Sequence, residues 1–219
     1  MIRPPFHLSA ALALTALFLA PVSAQAHKLR ERGAPVAVAD TTLTVTPSRD
    51  WNRLDVRLGK NTEHWTVDGE QLNDVTFFAA IEPGKPLVRE RSKKREPLPK
   101  FTAATLLVEV PELLETTWRT YKHSGSFQMT GIEPGLFLGA DGVHFTYEFV
   151  DQDELPRRGE ARAAIIAGKL YMISFEAPRL HYFAAGVEDF RKLADSARLP
   201  RAKRRHRLAE RLGGLQCQL

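Results

Sequence analysis

The sequence predicts an α+β protein whose single domain is built on a mainly antiparallel sheet. Three observations support this class. Apolar residues alternate with period two near the start, recur at helical spacing in the middle, and then repeat both patterns towards the end. The order is therefore strands, helix, strands, helix. Grouped strands with segregated helices are typical of α+β folds, and the chain shows no internal repeat.

Four strands are predicted in the first part of the chain. The first ends at Pro47, the third ends before Asp68-Gly69, and the longest contains Phe77 and Phe78. Alternating side chains indicate the first two strands, of which the second is expected to be half-buried, and the fourth is a longer apolar stretch. The predicted ranges are 41–46, 54–58, 62–67 and 72–81.

The middle of the chain predicts a helix between Leu106 and Tyr121, because apolar residues recur there every three or four positions. Pro111 interrupts this stripe. Either the proline kinks one helix, or it occupies the first turn of a second helix, where proline is tolerated.

The last third predicts strands and a closing helix. A strand covers 145–149, and two more, 161–166 and 170–175, flank a tight hairpin at Gly168-Lys169. Apolar residues at helical spacing over 187–197 then predict an amphipathic helix that ends before Pro200.

The two ends of this domain resemble the PsbP, Mog and DcrB-like superfamily. The closing segment has a Gly-Lys-x-Tyr strand start, an acidic-Ala-Pro exit, an aromatic turn and a helix ending near a serine, and the opening LTVTPSRDW is similar as well. The matching positions are Gly168, Lys169, Tyr171, Ala177, Pro178, Tyr182, Phe190 and Ser196. The resemblance implies an α/β/α sandwich around a twisted antiparallel sheet, and it implies an accessory, assembly or binding role.

The first 26 residues have the layout of a secretory signal peptide. Arg3 precedes an uncharged apolar run, and the run is followed by Ala24-Gln25-Ala26. The run is too short for a membrane span. We therefore expect cleavage after Ala24 or Ala26 and a periplasmic or secreted protein. The predicted organisation is a signal peptide at 1–26, a leader at 27–40, a domain at 41–199 and a basic tail at 200–219.

The formal charge of +5 belongs to the tail. Seven basic residues and one acidic residue lie between Arg198 and Arg211, so removing this segment lowers the charge to −1. Such a tail either binds an anionic surface or is a solvated end, and nucleic acid is not an expected partner of an exported protein. A second charged run, 89–96, predicts an exposed loop. The candidate polyanion-binding residues of the tail are Arg201, Lys203, Arg204, Arg205 and Arg207.

No catalytic motif is recognised. The sequence has no Gly-x-Ser-x-Gly elbow, no phosphate-binding glycine loop and no His-Glu-x-x-His helix. We assign no catalytic residue, metal ligand or cofactor. His64 and His144 lie on predicted strands that could approach one another, and cleavage after Ala26 would leave His27 as a terminal copper chelator. The acidic run at 151–154 is interpreted as a solvated turn.

Aromatic residues cluster in the last third of the chain and have two possible roles. They form the core between sheet and helix, or some of them line a groove for an apolar ligand. The candidate groove residues are Phe145, Tyr147, Tyr171 and Tyr182.

Three functions remain open from the sequence. The first is a non-enzymatic accessory or binding protein of the cell envelope that contacts a protein partner or an envelope component. The second is a binder of a small hydrophobic ligand in the aromatic-rich half. The third is a hydrolase or metal-dependent enzyme whose residues no motif reveals.

Overall fold

The computed structural model describes residues 28–200 and confirms the α+β class. Eight strands form one sheet in which every neighbouring pair is antiparallel, in the order β1-β4-β5-β6-β10-β9-β8-β7. Two further strands pair separately. The strands are β1 Lys28–Arg30, β2 Val36–Ala37, β3 Thr44–Val45, β4 Trp51–Arg53, β5 Thr62–Thr66, β6 Asp74–Ile81, β7 Phe127–Phe137, β8 Ala140–Val150, β9 Pro156–Ile166 and β10 Lys169–Pro178.

One helix covers each face of the large sheet, as the predicted α/β/α sandwich requires. Helix α1, Val110–Tyr121, packs through Leu114 and Trp118 on one face, and helix α2, Tyr182–Asp195, packs through Phe190 on the other. Side chains of a strand alternate between faces, so Ile173 joins the core under α2 while the adjacent Met172 joins the core under α1. The sheet is therefore buried on both sides.

Of the two roles considered for Pro111, the structure shows the second, a place in the first turn of a helix. The proline lies in the first turn of α1, and a short 3₁₀ helix, Leu107–Glu109, precedes it. The first turn has no intrahelical acceptor for its N–H groups, so proline loses no hydrogen bond there.

The predicted hairpin near Gly168 is present, one residue earlier than expected. Ala167 and Gly168 form the turn between β9 and β10, with φ of 51° and 73°. Two successive positive φ values are those of a type I′ turn, which matches the twist of the strands on either side.

The strand expected at 54–58 is wrong. Period-two alternation would place Leu54, Val56 and Leu58 on one face, yet both leucines are buried and Val56 is 61% exposed. The strand in this region is β4, three residues earlier, and residues 54–58 form an irregular connection. Leu54 and Leu58 are buried because the two ends of this connection contact the rest of the protein, and the residues between them do not pair as a strand.

The sequence pattern does not indicate the full length of β7, because glycine and proline interrupt the alternation of its side chains. It lies at the edge of the sheet and pairs only with β8 within residues 28–200. An edge strand tolerates a residue without an N–H group, which explains Pro134 within it.

The predicted leader, 27–40, is part of the domain over its described residues. Lys28–Arg30 pairs with β4, and Val38 and Ala39 are buried in the core under α2. The buried carboxylate of Glu63 accepts hydrogen bonds from Arg30 Nη2 and Ala39 N, both at 2.8 Å. The Glu63 carboxylate therefore connects two positions of the predicted leader to the domain.

Close packing of α2 depends on a glycine. A Cβ atom at Gly186 would lie 2.7 Å from Cζ of Phe175, whose ring is fully buried. Helix α2 therefore approaches β10 at the distance that glycine permits. Neither α1 nor α2 is long and apolar enough to span a bilayer, and the same holds for every helix of residues 28–200.

Candidate functional site

A fully buried carboxylate, Glu176, organises the core under α1. Its Oε1 accepts hydrogen bonds from Trp118 Nε1 at 2.5 Å and from Tyr147 Oη at 2.7 Å. Its Oε2 pairs with the ammonium of Lys122, which also lies 4.2 Å from the centre of the Trp118 ring. A buried charge is stable only when it is paired and hydrogen-bonded, and Glu176 meets both conditions.

Strand register brings these groups together. On the α1 face, Asp74 of β6, Glu176 of β10, Gly159 of β9 and Tyr147 of β8 stand opposite one another across four adjacent strands. A Cβ atom at position 159 would lie 2.2 Å from the Tyr147 ring. The tyrosine therefore lies across the glycine, and in this position its hydroxyl reaches Glu176.

The pKa values of Tyr147 and Lys122 are both raised in this cluster. Burial raises the pKa of Tyr147 well above its usual value, and the negative charge of Glu176 raises it further. Burial alone would lower the pKa of Lys122, but the charges of Glu176 and Asp74 outweigh it, so the net pKa is raised. Both groups therefore keep their protons more strongly in the folded protein than in the unfolded chain.

Beside this cluster lies a cleft of about 300 Å³, which we call the polar cleft. His64 is 3% exposed, and neither ring nitrogen has a hydrogen-bond partner within residues 28–200. Nε2 lies 3.7 Å from Asp74 Oδ1, and Nδ1 lies 3.9 Å from Glu70 Oε1. The residues that line the cleft are Val56, Leu58, His64, Glu70, Gln71, Asp74, Arg91, Tyr121, Lys122, Phe149, Asp151, Gln152, Asp153 and Arg157.

A larger cleft of about 950 Å³, which we call the basic cleft, lies beside the last residues of β6. Four cations and two carboxylates give it a net charge of +2. Asp40 pairs with Arg57 at 2.5 Å, whereas Lys60, Lys85 and Arg89 form no ion pair within residues 28–200. The residues that line it are Ala39, Asp40, Arg57, Gly59, Lys60, Asn61, Ala80, Ile81, Glu82, Lys85, Pro86, Leu87, Val88 and Arg89.

Three of the eight non-glycine residues with positive φ within residues 28–200 line the basic cleft. Ala39, Asp40 and Ala80 have φ of 54°, 51° and 56°, a left-handed conformation that is costly for residues with a Cβ atom. Ala79 and Ala80 stand opposite the single residue Tyr171, so β6 bulges there. Asn61 Nδ2 donates to both bulge carbonyls, at 2.9 and 3.3 Å. Such strain tends to cluster at functional sites.

The carboxylate of Glu82 is surrounded by cations at the edge of the basic cleft. A hydrogen bond from Lys169, at 3.1 Å, and the charge of that lysine lower the pKa of Glu82, and the charges of Lys60 and Lys85 lower it further. Glu82 therefore stays ionised and interacts with the lysines of the cleft, but it cannot neutralise all of them.

The four candidate groove aromatics do not line a common cleft. Phe145 and Tyr147 belong to the core under α1, whereas Tyr171 and Tyr182 pack in the core under α2. The sheet lies between the two pairs. The first three residues are buried, and Tyr182 is half-buried.

The two histidines considered together, His64 and His144, also lie apart. His64 is on β5 and His144 is on β8, with three strands between them. Within residues 28–200 no three His, Cys, Asp or Glu side chains form a metal-binding group. At His64 the two nearest carboxylates face different ring nitrogens, so they do not converge on one point.

The two loops singled out in the sequence border the clefts. Arg89, at the start of the charged run 89–96, lines the basic cleft, and Arg91 lines the polar cleft with its guanidinium 4.4 Å from the Tyr121 ring. In the acidic loop, Asp151 Oδ1 accepts hydrogen bonds from the backbone of Asp153 and Leu155, both at 3.0 Å. The signal peptide, His27 and the tail residues 201–219 lie outside the described residues.

The sequence did not indicate Glu176 or Lys122, and of the cleft residues it singled out only His64 and members of the two charged loops. The one available signal was the acidic residue that ends the apolar run before Ala177-Pro178. A carboxylate there is either exposed or internally paired, and only the position of α1 decides which.

We predict that Gly159→Ala lowers the free energy of unfolding by about 2 to 3 kcal/mol, because the new methyl group displaces the Tyr147 ring. Urea denaturation measures this cost. In a Tyr147→Ala background the same glycine substitution should cost little. An equal cost in both backgrounds would contradict the close contact with the ring.

Stability should fall in alkali. Unfolded Tyr and Lys titrate near pH 10, and the raised pKa values of Tyr147 and Lys122 let the folded protein keep its protons to higher pH. Their stabilisation is therefore constant below about pH 10 and is lost as pH rises through the folded pKa values. Urea midpoints between pH 8 and 11 measure the loss.

The matched control for this pH dependence is a pair of tyrosine variants. Tyr147→Phe should reduce the alkaline loss, whereas Tyr182→Phe, whose hydroxyl donates to no carboxylate within residues 28–200, should retain it. Equal pH profiles for the two variants would contradict the assignment.

Comparison with known proteins shows likeness of fold without likeness of sequence. No family model matches the chain, and no curated protein sequence matches it. The structure is similar to cyanobacterial PsbP from Synechocystis, with a TM-score of 0.53 and 11% identity over 81% of this chain and 96% of PsbP.

Two further solved structures share this likeness more distantly. The yeast Ran-binding protein Mog1p has a TM-score of 0.45 and 9% identity over 78% of this chain and 96% of its own. LpqN of Mycobacterium tuberculosis, described as involved in cell envelope biogenesis, has a TM-score of 0.34 and 10% identity over 78% and 92%. The match to PsbP confirms the fold that the resemblance of the two domain ends implied.

Proposed function

We propose that the protein is an exported accessory protein that binds an acidic segment of a protein partner in the basic cleft. The observation that carries this proposal is the set of three cations, Lys60, Lys85 and Arg89, that surround the cleft without an ion-pair partner within residues 28–200. Complementary charge steers association and discriminates against wrong partners.

The floor of the basic cleft supports binding of a polypeptide. Ala80 and Pro86 are half-buried and lie among the charged lining residues, whereas Leu87 and Val88 beside them belong to the core under α1, so the cleft joins a small apolar surface to a cationic rim. Interfaces commonly combine a desolvated centre with a polar border. Hydrogen bonds from Ala39 N to Glu63 and from Asn61 to the Ala80 carbonyl fix the backbone at these two positions of the cleft.

The test compares two double charge reversals. Lys60→Glu with Lys85→Glu should weaken partner binding about tenfold, whereas Lys28→Glu with Lys192→Glu, an equal change of charge at exposed sites outside the cleft, should leave it unchanged. The measurement is quantitative retention of envelope proteins on each immobilised variant at low and high salt, with the specific species identified from the wild type.

Equal losses for both double variants would contradict the basic cleft as the binding surface. Binding that does not weaken at high salt would contradict recognition of an acidic partner, since screening acts strongly on exposed charges. A chain that ends at Leu199 serves as a third arm, and a loss confined to this chain would assign the binding to the basic tail.

Export has its own test. If the signal peptide is cleaved, the mass of the protein recovered from the envelope fraction should correspond to a chain beginning at Gln25 or His27. Recovery of the full 219-residue chain from the cytosol alone would contradict export.

A further inference from the structure

The polar cleft and the basic cleft share no lining residue. We propose that the polar cleft binds a small ligand through a primary ammonium group, which is received between His64 and Asp74. Three features of the cleft support such a ligand: its unpaired, buried imidazole, the excess of carboxylates around it, and its size.

A neutral His64 imidazole has one acceptor nitrogen without a donor within residues 28–200. In a neutral imidazole one ring nitrogen carries a proton and the other is an acceptor. Each nitrogen of His64 faces a carboxylate oxygen, so in either tautomer one nitrogen and one carboxylate oxygen face each other as two acceptors. The acceptor nitrogen of the imidazole then has no donor within residues 28–200, and the imidazole is almost completely buried, whereas Asp74 Oδ1 already accepts from Thr76 Oγ1 at 3.3 Å.

The distances leave room for a shared donor. His64 Nε2 and Asp74 Oδ1 are 3.7 Å apart, too far for a direct hydrogen bond. A donor atom about 2.9 Å from both can bridge them, because the separation is well below twice that length. The second pair, His64 Nδ1 and Glu70 Oε1 at 3.9 Å, has the same geometry, and Glu70 is 55% exposed and free to adjust.

The charge balance favours a cationic donor. Lys122 is paired with Glu176, and Arg157 lies 3.6 Å from Asp151. Asp74 Oδ2 also lies 4.0 Å from Lys122, so two carboxylates share this lysine. When Glu176 is counted with the lining residues, five carboxylates stand against three cations, namely Glu70, Asp74, Asp151, Asp153 and Glu176 against Arg91, Lys122 and Arg157. An ammonium group supplies three N–H donors and a positive charge to a site rich in acceptors.

The rest of the cleft suits a small organic ligand. Its volume of about 300 Å³ is at the lower end of the range for small-molecule sites. Val56, which is 61% exposed, and the half-buried Tyr121 contribute apolar lining on which methylene groups can pack. A short aliphatic amine meets both requirements, with its ammonium at His64 and its carbon chain against this lining.

The test uses 1,4-diaminobutane and isothermal titration calorimetry with the whole protein at constant ionic strength. The wild type should bind, and Glu70→Gln should weaken binding about tenfold, because it removes a charged acceptor at an exposed position. Glu133→Gln, an equal change on the exposed part of β7, should bind like the wild type.

Nitrogen-15 spectra of the histidine rings give the second measurement. Diaminobutane should shift the His64 resonances, and 1,4-butanediol at the same concentration should not. A lack of binding at millimolar diaminobutane would overturn the proposal, and so would equal affinity in Glu70→Gln and Glu133→Gln. Equal shifts with the diol would also overturn it, since they would show that any small polar molecule enters.

Discussion

The buried carboxylate of Glu176 is the constraint on which the arrangement of the α1 face depends. It accepts from Trp118 of α1 and Tyr147 of β8 and pairs with Lys122 just beyond the end of α1. Removing one partner of a buried ion pair is strongly destabilising, because an unpaired charge remains in the core. Helix α1 is therefore held in the position over the sheet at which Trp118 and Lys122 reach the carboxylate. Gly159 leaves the space for the Tyr147 ring, whose hydroxyl donates to the same carboxylate.

Both clefts follow from how β6 is paired and covered. Near its beginning, Asp74 faces His64 and Lys122, and the end of α1 closes one side of the polar cleft. Near its end, the bulge at Ala79 and Ala80 opens the basic cleft. One strand thus carries an acidic environment at one end and a cationic one at the other. Arg89 and Arg91, two residues apart, each line one cleft, so the charged loop joins the two surfaces.

Local sequence patterns predicted helices with one buried face and turns whose residues favour the turn conformation. The hairpin at Gly168 and the amphipathic stripe of α1 are examples, because turn geometry and helical periodicity are properties of neighbouring residues. The pattern misled at Leu54 and Leu58, where two buried ends of an irregular connection imitate a strand. It failed at β7, where Pro134 weakens the local signal although pairing with β8 makes the strand regular.

Periodicity, composition and short motifs were sufficient to predict the class of the fold, its α/β/α arrangement through resemblance at both ends, and the concentration of positive charge in the terminal segment. Which groups meet depends instead on three-dimensional packing. Strand register placed Asp74 beside Glu176, the sheet separated Phe145 and Tyr147 from Tyr171 and Tyr182, and the position of α1 brought Lys122 to the carboxylates. Contacts between residues distant in the chain depend on pairing and packing, and no local pattern encodes them.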